Sequence, residues 1–183
     1  MKRALAAAVL CAAVGAGAAP ATYRLDPERT FVHWEVLHFG TSTVRGRFGP
    51  VDGTVTIDPE SGRGELSLRI PTAGVDTGIR PFDARLREAD LLASTAHPEA
   101  YFVASRWRFD GERLAEVRGE FTLRGVGRPL SLTARRFGCS ADGARCGGDF
   151  EAAFDRTDFG MTFGLPWIGN RVRVIVQVEG VRR

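Results

Sequence analysis

Apolar residues occupy every second position through most of this chain. Val32, Trp34 and Val36 alternate with His33 and Glu35, and Leu66, Leu68 and Ile70 with Ser67 and Arg69. Val172, Val174, Val176 and Val178 repeat the pattern near the end of the chain. A period of two is the strand period, and one apolar face per strand belongs to an antiparallel sheet covered on one side. The pattern predicts strands at roughly 31–38, 42–49, 53–58, 64–71, 99–109, 114–124, 129–137, 148–156 and 171–180. Turn signals separate them: Asp52-Gly53, Asp58-Pro59, Asp110-Gly111, Gly125-Val126-Gly127 and Gly169-Asn170. No linker, repeat or low-complexity stretch divides the series, so the expectation is one all-β domain, a barrel or a sandwich.

Two stretches break the alternation. From Arg80 to Thr95 the spacing becomes helical, with Pro81 in the first turn and Phe82, Leu86 and Ala89 on one face, Arg85 and Glu88 on the other. Asp90 is a candidate cap for a second short turn through Leu91 and Leu92. One or two short helices are therefore expected between strands. From Asp158 to Asn170, Phe159, Met161, Phe163, Leu165 and Trp167 stand among glycines and a proline. An apolar loop of this kind is expected to lie over an opening, because exposed aromatics cost solubility.

The N-terminus reads as processing rather than fold. Lys2 and Arg3 precede an apolar run from Ala4 to Val14, and small residues at 16–21 suit a signal peptidase. Residues 1–21 are expected to be a cleaved leader and 22–183 the mature domain, exported to the periplasm. Cys11 does not make this a lipoprotein signal, because Leu10 stands where a small residue is wanted. The formal charge is +3, and loss of Lys2 and Arg3 leaves about +1. A near-neutral domain with scattered arginines gives no reason to expect nucleic acid. Cys139 and Cys146 remain, an even count in an exported chain, and Asp142-Gly143 between them marks a turn. A disulfide across the base of a hairpin is expected.

The residues offer little for catalysis. His33 and His38 differ by an odd number and face opposite sides of a regular strand, so they do not converge on a metal. No Gly-x-Ser-x-Gly is present. Gly125-Val126-Gly127-Arg128-Pro129 lacks a third glycine and leads to proline, not to a helix, so it is a turn and not a phosphate loop. Asp83 and Asp90, seven apart on the helical stretch, are too distant to share a proton. Neither a catalytic set, a metal nor a cofactor is expected. What remains is a surplus of inward apolar positions, with small residues such as Ala100, Ala104, Gly119 and Ala152 among them. An eight-stranded barrel has room for side chains or for one ligand, and an enclosed apolar volume suits a long hydrocarbon.

The strand ends and turns carry an ordered set of words: Tyr23-x-Leu25-Asp26-Pro27, Val32-x-Trp34-x-Val36-x-His38-x-Gly40, Gly46-Arg47-Phe48, Asp76-Thr77-Gly78, Asp83-x-x-Leu86-Arg87, Asp90-Leu91-Leu92, Gly119-x-Phe121-Thr122-Leu123-Arg124-Gly125-Val126, and Asp155-Arg156-x-Asp158-Phe159-Gly160-Met161. In this order they resemble the YceI-like family of bacterial periplasmic proteins, over essentially all of Tyr23 to Val178. The resemblance implies a lipocalin-like antiparallel eight-stranded β-barrel with an elongated hydrophobic pore that binds isoprenoid or other long-chain amphiphilic lipids without catalysis. It further implies that Val32, Trp34, Val36, Phe48, Leu66, Leu68, Ile70, Leu86, Phe102, Phe121, Leu123, Phe150, Phe154, Met161, Val174 and Val176 line the pore. Arg47, Asp83 and His97 are candidate head-group contacts. The function expected is binding, storage or transport of such a lipid, with transient inner-membrane contact, as a monomer or a homodimer. Two alternatives stay open: an enzyme acting on a periplasmic lipid, and an accessory module for a membrane quinone or cytochrome b-type system.

Overall fold

The structure, a computed structural model, describes residues 19–58 and 61–183. The leader expected at 1–21 lies outside these residues except for its last three positions, of which Ala21 opens the first strand.

Among the described residues eleven antiparallel strands form one sheet: β1 (Ala21–Leu25), β2 (Phe31–His38), β3 (Ser42–Phe48), β4 (Asp52–Asp58), β5 (Arg63–Pro71), β6 (Val75–Asp76), β7 (Glu99–Asp110), β8 (Arg113–Leu123), β9 (Val126–Cys139), β10 (Arg145–Asp155) and β11 (Ile168–Arg182). Eight of them close a ring, β1-β4-β5-β7-β8-β9-β10-β11 and back to β1. The long β11 makes this closure possible. Its last residues pair with β1, as in Leu25↔Gly180, while its first two-thirds pair with β2, as in Val174↔Trp34. β2 and β3 thereby continue the wall where β1 stops, and β3 meets β6 through Phe48↔Val75. The eight-stranded barrel that the family resemblance implies is present. β1, which closes the ring, and the two-residue β6 are not among the strands expected from the pattern.

The strand faces follow the alternation. On β5 the pattern is strict: Gly64, Leu66, Leu68 and Ile70 are buried and the residues between them exposed. The hairpins place their turns alternately at the two ends of the barrel. One end carries the β4–β5, β7–β8 and β9–β10 turns and the C-terminal part of β11. The other carries the β2–β3 turn, the β8–β9 turn, the 77–98 insert and the 156–167 segment. The β8–β9 turn is Arg124-Gly125, both with positive φ (53° and 73°), the two-residue turn that matches strand twist.

Cys139 and Cys146 face each other across the β9–β10 hairpin and are joined as expected. The bridge closes a short loop, so its stabilisation is about 2 kcal/mol. It lies at the end away from the insert.

The 80–95 stretch is helical only in part. α1 spans Arg80–Leu86 with Pro81 in its first turn, and the chain then proceeds by turns to Pro98. Because the helix stops at Leu86, Ala89 does not continue the inward face and is exposed, while Arg85 turns inward. Asp90 does not cap a second helix; it accepts two hydrogen bonds from Arg85, each of 2.7 Å. Arginines aimed at carbonyls fix the insert. Arg87 donates to Ala73 O and Val75 O (2.9 and 3.1 Å), and Arg124 to Ala89 O (2.8 Å) and Leu91 O.

Candidate functional site

The barrel interior is solid at one end and hollow at the other. Toward the disulfide end Leu66, Ala104, Leu114, Val117, Ala134 and Phe150 pack together, and Trp107 lies across Gly64. At the other end a cavity of about 200 Å³ opens between β2, β3, β5–β11, the insert and the 156–168 segment. Its wall is almost wholly apolar. Of the residues expected to line a pore, Val32, Trp34, Val36, Phe48, Leu68, Ile70, Leu86, Phe102, Phe121, Leu123, Phe154, Met161, Val174 and Val176 are in this wall. Leu66 and Phe150 are not: they face inward but sit in the filled half. Of the small residues, Ala100 lines the cavity, whereas Ala104 and Gly119 face each other in the β7–β8 ladder and are absent from the wall.

None of the three expected head-group residues reaches the cavity. Arg47 alternates outward between Gly46 and Phe48, pairs with Asp76 at 3.0 Å and stands over the Phe31 ring. Asp83 is buried but accepts from the Thr77 amide (2.7 Å) and hydroxyl (2.6 Å), which holds the start of α1. His97 lies beside Gly125, and its carbonyl accepts from the fully buried Thr72 hydroxyl at 2.8 Å.

The polar groups in the wall are instead His38, Thr72, Arg85 and Arg156, with the Trp34 indole. His38 ends β2 at the rim, with His33 on the opposite face as its parity requires. Arg85 covers the Phe163 ring at 4.2 Å and is matched by Asp90 and by Glu88 (3.3 Å). The Asp90 hydrogen bonds raise the Arg85 pKa, and the same bonds lower that of Asp90. Arg156 differs. It is 5% exposed and donates to three carbonyls at 2.9 Å each, Met161, Ile168 and Gly169. It forms no ion pair among the described residues, and burial pushes its pKa down. The Trp34 indole N–H is buried without an acceptor among the described residues. Its ring lies on Gly46, where a β-carbon would sit 2.5 Å from Cζ2, so only glycine admits the indole there.

Beneath the 156–168 segment Phe159 meets Phe121 and Phe154 with ring centroids 5.4 and 5.2 Å away. The expectation that this loop covers an opening holds in a divided form. Phe159 and Met161 are buried, whereas Phe163, Leu165 and Trp167 are exposed, with Leu37, Phe39 and Ile79 also exposed at that end. The Phe39 amide donates to Trp167 O at 2.6 Å and ties two of these segments together. No group of three or more residues able to hold a metal occurs among the described residues.

A family model described as the YceI-like domain matches residues 23–180. The chain is 34% identical to protein YceI of Shigella flexneri over 172 residues, covering 91% of this chain and 90% of that one. It is 33% identical to a UPF0312 protein of Ectopseudomonas mendocina over the whole of both chains. Among solved structures, BcnA of Burkholderia cenocepacia has the same fold with a TM-score of 0.73 at 19% identity, over 85% of this chain and 98% of that one. A protein of Saccharophagus degradans described as a polyisoprenoid-binding domain implicated in plant cell wall breakdown has a TM-score of 0.67 at 18% identity, over 88% and 98%. With a family model spanning nearly the whole barrel and relatives at a third identity along its full length, this chain belongs to the YceI-like family.

Proposed function

We propose that the barrel binds the tail of an isoprenoid lipid in its cavity, and stores or carries that lipid in the periplasm without altering it. The observation that carries this reading is the apolar cavity with only a few polar groups in its wall, in a relative of a domain described as polyisoprenoid-binding. Each methylene taken out of water contributes about 0.8 kcal/mol before ordering costs. A volume of about 200 Å³ is below the several hundred of ordinary ligand pockets, so one end of a long chain enters and the remainder projects from the mouth. The disulfide suits an oxidising compartment, which supports the periplasm together with the leader-like residues 1–21. Lipid extracted from protein purified without detergent tests the reading. Bound lipid returned unchanged after long incubation supports a carrier, and conversion to a product supports the enzymatic alternative.

The exposed apolar residues around the mouth support contact with the inner membrane. Leu37, Phe39, Ile79, Phe163, Leu165 and Trp167 stand at the end where a lipid must enter. The pair Phe39→Glu and Trp167→Glu is expected to lower co-sedimentation with phospholipid vesicles at least about fivefold, about 1 kcal/mol, while bound lipid stays unchanged. Equal sedimentation of variant and wild type would remove membrane contact from the account. Docking on a quinone or cytochrome b-type partner would use the same surface.

A further inference from the structure

The wall beside the cavity is not laddered throughout. β9 and β10 pair from Cys139↔Cys146 as far as Thr133↔Glu151, and no pair follows. From there to the mouth, residues 126–132 of β9 pair with β8 alone and residues 152–155 of β10 with β11 alone. The seam between them carries no side-chain hydrogen bond or ion pair among the described residues. Arg128 donates to its neighbour Gly127 O, and Asp155 pairs with Arg171 of β11. Pro129 brings no N–H to the β9 edge. The cavity reaches this seam, bordered by Leu130 and Leu132 on one side and by Phe154 on the other. Phe154 extends inside the wall to Phe121 of β8, ring centroids 5.3 Å apart, and Phe159 packs on both rings. Apolar contacts therefore close the wall here in place of a ladder. The β5–β7 ladder also ends early, at Leu66↔Ala104, but in the filled half, where Trp107 lies across Gly64.

We infer that the β9–β10 seam is a side door to the cavity, through which a lipid tail enters and leaves laterally rather than end-on. This rests on the lipid-binding reading and adds to it the route of the tail. A tail threading end-on must pass the rim, where Arg85 covers the Phe163 ring and is held by Asp90. A tail entering sideways breaks no ladder pair and no ion pair; it parts apolar side chains and replaces their contacts with its own. The outward residues along the seam, Ser131 and Ala153, are small and add little cover. The seam also runs to the rim, so the part of a long chain that the cavity of about 200 Å³ does not hold has a slot in which to lie.

The test locks the seam and leaves the cavity alone. In the double variant Ser131→Cys and Ala153→Cys the two thiols are joined by a short bismaleimide. Both residues stand two positions beyond the last pair and share the outward parity of Thr133 and Glu151, so the linker lies on the outer surface. Farnesol uptake and release are followed by stopped-flow tryptophan fluorescence, and affinity by calorimetry. In the bridged protein both rates should fall at least about tenfold while Kd stays within about twofold, because a blocked route alters the kinetics and not the site. The same cysteines capped separately with N-ethylmaleimide should keep wild-type rates. So should Ser131→Cys bridged the other way, to Arg118→Cys across the intact β8–β9 ladder. Unchanged rates in the bridged protein, or an equal fall in the capped or Arg118-bridged forms, would overturn the side door and leave the lipid reading standing. If wild-type protein binds no farnesol, both are overturned. Should the double variant fail to fold, hydrogen exchange of the wild type decides. Amides of 152–155 that point toward β9 should exchange at least about tenfold faster than those of 147–151 that do so, and equal protection would overturn the seam as a door.

Discussion

Ala100→Phe is expected to leave the barrel folded and to weaken farnesol binding at least about tenfold, a loss of about 1.4 kcal/mol or more. Ala100 lies on β7 opposite Ile70, is 3% exposed, and its side chain borders the cavity. A ring placed there occupies the volume a lipid tail would take, so it displaces ligand without crowding its neighbours. The decisive control is the same substitution four residues along. Ala104 is equally buried and has the same parity, but a β-carbon at its partner Gly119 would already lie 2.7 Å from that of Ala104. Ala104→Phe meets filled space, and overpacking of this kind costs about 1–3 kcal/mol or more. Thermal melts and farnesol titration of both variants check the pair. Ala100→Phe should lose binding while keeping its melting point, and Ala104→Phe should lose stability. Equal behaviour of the two would mean that the interior is not divided into a hollow half and a filled one.

Phe159→Ala is expected to carry the largest stability cost of any single truncation near the mouth, about 3–5 kcal/mol. Phe159 is 2% exposed and stacks edge-on against Phe121 and Phe154, both of which border the cavity. Its removal opens a void behind those two rings and loosens the 156–168 segment from beneath. For a chain of this size the melting temperature should fall by roughly 6–20 °C, measured by calorimetry on lipid-free protein. Trp167→Ala, at the exposed tip of the same segment, should shift it by no more than about 2 °C. A Phe159→Ala melt within that small range would show that the aromatic cluster does not hold the segment.

The alternation made the inward residues legible but not their height in the barrel. Leu66 and Leu68 are indistinguishable by parity, yet Leu68 borders the cavity and Leu66 is part of the packed end. A one-dimensional pattern reports which side of the sheet a residue faces; height depends on strand stagger, which only the pairing supplies. The disulfide was legible because its hairpin is local, and nine of the strands because turn residues punctuate them; the eight-strand closure was legible only through the family resemblance, since it runs through β1. β1 was obscured by its position against the leader-like segment, and β6 by having two residues.

The polar end of the site was the least legible part. Arg47 could have been set aside by parity alone, since it follows Gly46 and precedes Phe48 on an alternating strand. Asp83 is consumed by Thr77, a contact from outside the helix that helical spacing does not reveal. Arg156 did leave a signal. It is the only basic residue between Phe154 and Gly169, in a segment otherwise rich in aromatic and apolar side chains. A lone cation in such a stretch must either reach solvent or be enclosed, and the three carbonyls that enclose it come from residues 161, 168 and 169, beyond the reach of local pattern.

The central claim is that the hollow half of the barrel holds a lipid tail. Native mass spectrometry of the protein, purified without detergent from its own cells, tests it most directly. The account predicts one long-chain isoprenoid lipid per chain, released intact into organic solvent and absent from Ala100→Phe prepared in the same way. A bare chain mass in the wild type, with no lipid in the extract and no uptake of added farnesol, would contradict it.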